Sequence, residues 1–364
     1  MTKRGIRAAA GLLAAVLLAG TAAAAPPLSA EKAVLLDAAS GRVLYEKNGG
    51  ARSLIASTTK IMTALLVCER GNLDEEVRVP KEAVGVEGSS LYLREGETLT
   101  VRNLLYGLML HSGNDAAVAL AIVCGGSEAD FVEQMNEKAR SLGLADTHYA
   151  NPNGLDDEGN YSTALDLANL AAAALQNEDF RAVVSCKSAT AGGRVLHNHN
   201  KLLRQYDGAI GVKTGYTKAA GRILVSAAER DGRMLVAVTI RDSDDWRDHA
   251  ALLDYGFSCF QRVLLLRAGD RAGTVPVTGG VVGTVGVAAA EDFWYPMTGQ
   301  ETADVRLRLP PFVYAPVTAG EEAGKAEILI GDTVVGTVPL YYQEDVAQAA
   351  PKRSLFERLL GGTS

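Results

Sequence analysis

The sequence lacks the features that mark nucleic-acid-binding and metal-binding proteins. Its 36 lysines and arginines are outnumbered by 43 aspartates and glutamates, and the basic residues form no stripe, so we expect no nucleic-acid partner. The five histidines are dispersed. His197 and His199 are spaced to share one face of a strand, but no third ligand is near them in the sequence, so a metal site is not expected there. The composition therefore predicts chemistry without a metal or a cofactor.

Cysteine is also scarce, with four residues that form no C-x-x-C pair, at Cys68, Cys124, Cys186 and Cys259. This spacing argues against a zinc site. Export to an oxidising compartment would permit disulfides. Because Cys68 and Cys124 fall on the apolar faces of predicted helices, we interpret them as buried thiols instead.

A membrane-spanning segment is missing too. The apolar run at residues 8–20 is almost wholly Ala, Leu, Val and Gly, and it is shorter than the roughly 20 residues that span a bilayer. It follows a basic start at residues 3–7 and precedes four alanines at residues 22–25 that a signal peptidase accepts. We predict a signal peptide over residues 1–25 and a location outside the cytoplasm, at the outer face of the cytoplasmic membrane or in the cell wall. An uncleaved N-terminal anchor is the alternative.

Strand patterns at both ends of residues 26–262 flank a largely helical middle. A hairpin is predicted over residues 33–46, and strands with a tight Asp231-Gly232 turn are predicted over residues 209–240. Helical periodicity covers residues 57–70, 104–110, 115–124, 131–142, 163–175 and 246–260. The pattern predicts an α+β catalytic domain, in which distant strands form an antiparallel sheet that packs against helices and carries a helical subdomain.

The character of the chain changes after residue 262. Short, Val-rich segments separated by Gly, Pro and Asp predict a small all-β domain, a sandwich, over residues 263–345. It lacks clustered His, Cys or carboxylates, which favours a spacer or docking role. In the tail at residues 346–364, the stretch 352–360 has apolar residues on one side and basic residues on the other. This tail is interpreted either as a peripheral contact with an anionic membrane or as a solvent-exposed terminus.

Three short motifs carry the candidate chemistry. They are Ser57-Thr58-Thr59-Lys60, Ser112-Gly113-Asn114 and Lys213-Thr214-Gly215. Each alone is common in ordinary helices, turns and strand ends. Their joint order, with one at a helix start, one in a turn between helices and one on a strand, is typical of serine acyl-enzymes.

The first motif supplies a nucleophile and its base. Ser57 and Lys60 lie on one face of a helix start, and a serine hydroxyl needs a base beside it to attack a carbonyl. Lys60 can act as that base only if it is uncharged near neutral pH, which burial and the positive charge of Lys213 would favour. A like charge about 4 Å away at an effective dielectric near 20 costs about 4 kcal/mol, or roughly three pKa units.

The other residues would bind the substrate. Free backbone N–H groups at the helix start beside Ser57, with a second donor from Tyr216, could stabilise an oxyanion. Ser112 could pass a proton between Lys60 and the leaving amine, and Asn114 could hold a substrate amide. Lys213 and Thr214, with Gly215 next to them on the strand, could hold a free carboxylate.

With these motifs the chain resembles the low-molecular-weight penicillin-binding proteins of the D-alanyl-D-alanine carboxypeptidase type. The likeness extends over nearly the whole mature chain and includes the stretches at residues 131–136, 142–143, 151–155, 161–167, 198–203, 211–217 and 252–257. Asn160 is a departure, because the family often has His there, and the tail is shorter than many family anchors. Neither departure affects the nucleophile.

The resemblance implies a β-lactamase/transpeptidase-like catalytic domain followed by the β-rich domain. It implies removal of the terminal D-alanine from peptidoglycan stem pentapeptides through a Ser57 acyl-enzyme, which limits the donors for cross-linking during cell-wall biogenesis. Ser57, Lys60 and Ser112 would be catalytic, and Asn114 and Lys213 would contact the substrate. β-Lactam antibiotics such as penicillin would bind covalently as inhibitors.

Two alternatives remain open. A class A serine β-lactamase needs a Glu-x-x-Leu-Asn loop between the second and third motifs, and no such string lies between Asn114 and Lys213. A non-catalytic β-lactam or wall-binding sensor on the same scaffold would acylate without turnover. Both Ser57 and Lys60 are present, and release of D-alanine would separate the sensor from the enzyme.

Overall fold

The structure is a computed structural model that describes residues 24–350. It divides into two compact units, and the division along the chain falls between Phe260 and Gln261. Most of the predicted signal peptide and the amphipathic stretch at residues 352–360 lie outside the described residues. Within residues 24–350, no helix is both long enough and apolar enough to cross a membrane.

The first unit has one large sheet and several short pairs of strands. Among the described residues they are β1 (Lys32–Asp37), β2 (Val43–Lys47), β3 (Ser53–Leu54), β4 (Glu76–Arg78), β5 (Thr98–Thr100), β6 (Tyr161–Ser162), β7 (Ser188–Ala191), β8 (Arg194–His197), β9 (Ala209–Thr217), β10 (Gly221–Arg230) and β11 (Arg233–Ile240). Five of them form an antiparallel sheet in the order β2-β1-β11-β10-β9, and the others form short two-stranded pairs.

The helices of this unit lie mostly between β2 and β9 in the sequence. They are α1 (Lys60–Arg70), α2 (Val101–Leu110), α3 (Asn114–Gly125), α4 (Glu128–Ser141), α5 (Ala164–Ala174), α6 (Glu178–Ser185), α7 (Leu202–Gln205) and α8 (Asp245–Cys259). Short 3-10 turns lie at Ala56–Thr59 and Lys81–Ala83.

The sheet joins the two ends of the first unit. β1 pairs antiparallel with β11 from Lys32 opposite Ile240 to Asp37 opposite Leu235. Five of the six β1 residues are buried, because α5 packs against β1 and β11 while α8 packs against β10 and β11. The predicted sheet of distant strands packed with helices is therefore confirmed.

Local signals in the sequence explain several element boundaries. The Asp231-Gly232 turn has left-handed φ angles of 52° and 72°, as a tight hairpin between β10 and β11 requires. Thr100 begins α2, because its Oγ1 accepts a hydrogen bond of 3.1 Å from the backbone N–H of Asn103. Thr163 caps α5 in the same way through Asp166.

The second unit is all β among its described residues, as predicted. Its strands are β12 (Gln261–Leu266), β13 (Arg271–Thr278), β14 (Thr284–Ala289), β15 (Phe293–Met297), β16 (Ala303–Arg308), β17 (Val313–Tyr314), β18 (Glu322–Ile330) and β19 (Thr333–Tyr342). Six form a sheet in the order β16-β18-β19-β14-β13-β17, and β12 pairs with β15. Its core is aliphatic, with Val275, Val287, Ile328, Val338 and Leu340 fully buried.

Some details differ from the sequence expectations. Val346 bridges Val317, and Gln348 bridges Gly280, so strand pairing in the second unit continues past residue 345 into the predicted tail. All four cysteines are free, and only Cys68 is buried, while the other three are half-buried. Cys124 is thus less enclosed than an apolar helix face suggested, and its Sγ lies 3.8 Å from Nη1 of Arg70.

Candidate active site

Ser57 lies in the 3-10 turn before α1 rather than in the first turn of the α-helix itself. The turn begins with Ala56 in the left-handed region, at φ 46°. Gly154 packs directly on it, and a Cβ at Gly154 would lie 2.0 Å from the carbonyl oxygen of Ala56. This close approach holds the 151–155 loop against the turn that presents Ser57.

Lys60 follows at the start of α1 and is completely buried. Its Nζ lies 3.1 Å from Oγ of Ser57 and 2.7 Å from Oδ1 of Asn114. The third partner is the backbone carbonyl oxygen of Asn153. The structure therefore brings the first and second motifs together around one amine, although Lys60 and Asn114 are 54 residues apart.

These three partners suit an uncharged lysine. The Oδ1 of Asn114 and the carbonyl of Asn153 can only accept, so they take two N–H bonds. The hydroxyl of Ser57 can donate, and it can place its proton in the lone pair of a neutral amine. Burial, and next the charge of Lys213, hold the pKa of Lys60 well below its ordinary value, while the Asp115 carboxylate acts in the opposite direction.

Lys213 reaches the site from β9 and is also buried. Its Nζ donates to Oγ of Ser112 at 3.1 Å and to the carbonyl oxygen of Thr214 at 2.8 Å. Burial lowers the pKa of Lys213 to about 7. Ser112 has a left-handed φ of 63°, which points to a held, strained turn. Ser112 thus contacts Lys213 directly, and its predicted role in passing a proton between Lys60 and the leaving amine stays a prediction.

Asn114 begins α3, and both the oxygen and the nitrogen of its side-chain amide are hydrogen-bonded. Its Oδ1 accepts from Lys60, and its Nδ2 donates to the carbonyl of Glu87 at 2.6 Å. The adjacent Asp115 carboxylate accepts from Ser90 Oγ and from the backbone N–H groups of Leu91 and Leu93. The start of α3 therefore also holds the 87–93 loop next to the nucleophile.

The third motif approaches the first very closely. A Cβ at Gly215 would lie 3.3 Å from the carbonyl of Ile55 and 3.3 Å from the backbone nitrogen of Thr58. A side chain at this position would push β9 away from the 3-10 turn. The glycine of the third motif thus allows the strand to form one wall beside Ser57.

The converging segments enclose a cleft of about 530 Å³. Four of the predicted residues besides Ser57 line it, namely Ser112, Thr214, Gly215 and Tyr216. Lys60, Asn114 and Lys213 lie in the layer beneath and reach it through their hydrogen bonds. All eight predicted site residues are thus brought to one place.

Sequence reasoning missed several residues of this cleft. The cleft is also lined by residues that the sequence analysis did not select, namely Ser89, His199, Arg222, Ile223, Asp245 and Trp246. The ring of His199 lies 5.5 Å from that of His111, and burial together with the Lys213 and His111 charges lowers the pKa of His199. His199 had been considered only as a strand neighbour of His197, because sequence spacing does not reveal a contact with a turn 88 residues earlier.

The backbone of Asn153 was missed as well. In the sequence analysis, residues 151–155 are one of the stretches similar to the family, with no role assigned to them. Backbone carbonyls carry no sequence signature, so the contact with Lys60 could not have been found from residue types. Asn160 lies nearby, and its Nδ2 donates to Oγ1 of Thr59 at 3.1 Å, so this departure from the family pattern ties its loop to the 3-10 turn.

No group of three or more potential metal ligands occurs in residues 24–350. The cleft instead combines a serine hydroxyl, two lysines and polar side chains. A hydroxyl beside an amine of low pKa can attack a carbonyl, and a second lysine nearby can bind an anion.

The chain matches two described families. Residues 19–244 match the family described as D-alanyl-D-alanine carboxypeptidase. Residues 260–348 match the family described as penicillin-binding protein 5, C-terminal domain.

Curated relatives are similar over most of their length. The D-alanyl-D-alanine carboxypeptidase DacF of Bacillus subtilis (strain 168) is 33% identical over 336 residues, which cover 88% of this chain and 86% of that protein. The D-alanyl-D-alanine carboxypeptidase DacD of Escherichia coli (strain K12) is 34% identical over 353 residues, covering 92% and 90%.

Solved structures share the fold. Penicillin-binding protein 5 from Haemophilus influenzae superposes with a TM-score of 0.78 at 29% identity and covers 90% of this chain and 100% of its own. A variant of the Streptomyces K15 D,D-transpeptidase superposes with a TM-score of 0.61 at 36% identity, covering 64% and 99%. The predicted fold class is confirmed by these neighbours.

Proposed function

Because the chain belongs to the D-alanyl-D-alanine carboxypeptidase family of serine peptidases, we propose that Ser57 is the residue that this enzyme acylates. The protein is a serine-type D-alanyl-D-alanine carboxypeptidase and a penicillin-binding protein. The observation that carries the residue assignment is the contact of 3.1 Å between Oγ of Ser57 and Nζ of a fully buried Lys60.

In the acylation step, Lys60 accepts the proton of the Ser57 hydroxyl as its oxygen attacks the penultimate D-alanine carbonyl. The two acceptor-only partners of Lys60 orient the amine so that its lone pair faces this hydroxyl. The backbone N–H groups of Ser57 and Tyr216 are proposed to stabilise the oxyanion of the tetrahedral intermediate.

Ser112 is proposed to deliver the proton to the leaving group. As the C–N bond breaks, the nitrogen of the terminal D-alanine needs a proton. The Ser112 hydroxyl can supply one and be reprotonated by Lys213, which donates to its Oγ. The proton that Lys60 took from Ser57 replaces the one that Lys213 gave, so Lys60 is again uncharged and Lys213 again charged. Water then attacks the acyl carbon while Lys60 accepts its proton, and Lys60 passes this proton to Oγ of Ser57 as the acyl C–O bond breaks, which releases the shortened peptide and restores the Ser57 hydroxyl.

Lys213 and Thr214 are proposed to bind the free carboxylate of the terminal D-alanine, beside Gly215. An anion in the cleft favours the charged form of Lys213 and opposes the effect of burial on its pKa. Asn114 is proposed to hold a backbone amide of the substrate while it orients Lys60.

The biological setting remains part of the proposal. We propose export by a signal peptide at residues 1–25, a catalytic domain over 26–262, a β-rich domain over 263–345 and action on peptidoglycan stem pentapeptides outside the cytoplasm. The tail after residue 345 would make a peripheral membrane contact.

The decisive experiment uses Ser57→Ala. Intact-mass spectrometry after incubation with penicillin is expected to show one covalent adduct on the wild-type chain and none on the variant, and D-alanine release from a D-Ala-D-Ala peptide should disappear with it. Ser188→Ala, at an exposed position on β7 that does not line the cleft, serves as the matched control for handling and folding. An adduct on the Ser57→Ala chain would refute the assignment. Acylation of the wild type without D-alanine release would favour a sensor, and rapid hydrolysis of penicillin would favour a β-lactamase.

A further inference from the structure

Four exposed apolar and aromatic side chains lie at one edge of the second unit. Val281 and Val282 occupy the turn between β13 and β14 and are 64% and 49% exposed. Phe312 and Tyr314 flank Val313 on β17 and are 45% and 67% exposed, with their rings in edge contact at 5.3 Å. We call these four residues the edge patch.

The strand pairing places these residues near one another. Tyr314 lies opposite Thr278, the last residue of β13, in the parallel pairing of β13 with β17. Val281 follows three residues later in the turn, beyond Gly280, whose Cβ position faces inward at 2.8 Å from Val277 and Val346. The exposed Val281 and Tyr314 therefore both lie close to the end of β13.

The described chain also ends at this edge. The backbone N–H of Val281 donates to the carbonyl of Ala347, and that of Ala349 donates to the carbonyl of Gly279 at 2.8 Å. The sequence that follows residue 350 contains the basic amphipathic stretch 352–360, with Leu355, Phe356, Leu359 and Leu360 on its apolar side. The exit point therefore lies directly beside Val281.

Two carboxylates near this edge would repel an anionic surface, so the apolar side chains and the basic stretch must outweigh that repulsion. None of the four side chains is charged. The nearby carboxylate of Asp345 accepts from the backbone N–H of Ala319 at 2.8 Å, and that of Glu344 accepts from Gly286 at 3.4 Å. Both carboxylates thus make contacts within the unit.

We propose that the edge patch is a membrane-contact surface, which inserts into the interface of an anionic bilayer and acts together with the basic stretch 352–360 that follows in the sequence. Tyrosine and phenylalanine favour the boundary between headgroups and acyl chains. Peripheral anchoring becomes stable when two separate signals act together, such as an apolar insertion and a basic segment. The patch adds a folded surface to the tail contact, and it does not depend on the catalytic assignment.

Vesicle binding by the full mature chain tests this surface. The probe is sedimentation with phosphatidylglycerol/phosphatidylethanolamine vesicles, compared with neutral phosphatidylcholine vesicles. We expect wild-type binding to be stronger on the anionic vesicles. Val281→Asp with Val282→Asp, and separately Phe312→Ser with Tyr314→Ser, should each weaken partitioning by roughly tenfold or more.

The opposite edge of the same sheet offers a matched control. Val305 on β16 and Val334 at the start of β19 are 37% and 47% exposed, and β16 and β17 are the two edges of the six-stranded sheet. Val305→Asp with Val334→Asp adds the same charge and removes the same side chains. This pair should change partitioning by less than about twofold.

A second measurement does not depend on stability. Tyr314→Trp places a reporter in the patch of a chain that has two tryptophans, Trp246 and Trp294, and brominated lipids should quench the added emission. Lack of quenching overturns the proposal. So does wild-type-like binding by the patch variants, which would instead fit a tail that covers the patch. Loss of a dimer in those variants with unchanged vesicle binding would assign the patch to a second copy.

Discussion

The two units of this chain differ in the kinds of side chain that they bury and that they expose. Every buried polar or charged side chain among residues 24–350 lies before residue 250, including Lys60, Lys213 and His249. The second unit buries a plain aliphatic core, yet it carries eight of the twelve large apolar side chains that the described chain exposes. The first unit thus buries ionisable groups that can take part in chemistry, and the second unit exposes apolar side chains on its surface.

The comparison also explains why only one unit is expected to be catalytic. A buried amine has its pKa lowered, so it can serve as a base near neutral pH. The second unit has no buried ionisable group of this kind in its described residues. An aliphatic core stabilises a fold but supplies no proton donor or acceptor.

The largest effect is expected when the buried base is replaced by a group that stays charged. Lys60→Arg introduces a permanent cation that cannot accept a proton, because the guanidinium pKa is far above neutrality. Acylation of Ser57 by penicillin should slow by about a thousandfold or more, measured by stopped-flow labelling. Lys138→Arg, at a half-buried, ion-paired position on α4, should leave the rate unchanged. A Lys60→Arg enzyme that acylates normally would show that the first unit does not depend on a neutral lysine.

The aliphatic core of the second unit predicts a stability effect without a catalytic one. Leu340 is fully buried on β19, and Leu340→Ala should lower the free energy of unfolding of this unit by about 2–5 kcal/mol. Chemical denaturation would measure the change, and Val334→Ala at an exposed position should change it by less than about 0.5 kcal/mol. The acylation rate at 25 °C should stay the same, and a parallel loss of acylation would break the division of roles between the units.

The second buried lysine should affect substrates according to their terminal charge. Lys213→Ala is expected to lower kcat/KM about a hundredfold for a D-Ala-D-Ala peptide with a free carboxylate, and less than about threefold for its C-terminal amide. Steady-state kinetics with the two peptides measures the difference. Equal losses on both peptides would remove the carboxylate role.

The pH profile sharpens this prediction. Burial lowers the pKa of Lys213 to about 7, so its positive charge is present below that pH and is lost as the pH rises through it. The kcat/KM for the free acid should therefore decline on the alkaline side near pH 7. Lys213→Arg retains the charge and should move the decline to higher pH.

The smallest predicted effect concerns acid stability. His249 is fully buried between Oγ of Ser226 at 2.6 Å and Oγ1 of Thr239 at 2.9 Å, and burial lowers its pKa to about 3. Between pH 6.5 and 5 the unfolded chain binds a proton that the folded chain does not. The first unit should therefore lose about 2 kcal/mol of stability over that interval.

All five histidines lie before residue 250, so the second unit has no matching titration. Denaturation at the two pH values would measure the difference between the units. His249→Gln should reduce the acid sensitivity of the first unit, and an unchanged slope would contradict the assignment to His249.

Much of the fold could be predicted because its signals are local. The Thr100 cap, the Asp231-Gly232 turn and the alternating strands each depend on a few neighbouring residues. The 3-10 turn at Ser57 could not be predicted, since it depends on Gly154 packing against Ala56. The contacts of His199 with His111 and of the Asn153 carbonyl with Lys60 were missed as well. Both contacts join segments that are far apart in the sequence.

The sequence by itself determined which chemical groups are present, in what order and on which kind of element, and it predicted the serine, the two lysines and the strand that is proposed to bind the substrate carboxylate. Only the tertiary structure decided the protonation state of those groups. The pKa of Lys60 depends on the removal of water and on the charges of Lys213 and Asp115, and these two residues are 153 and 55 residues away along the chain. Electrostatic and hydrogen-bond energies depend on distance in space and on burial, and neither quantity exists until the chain has folded.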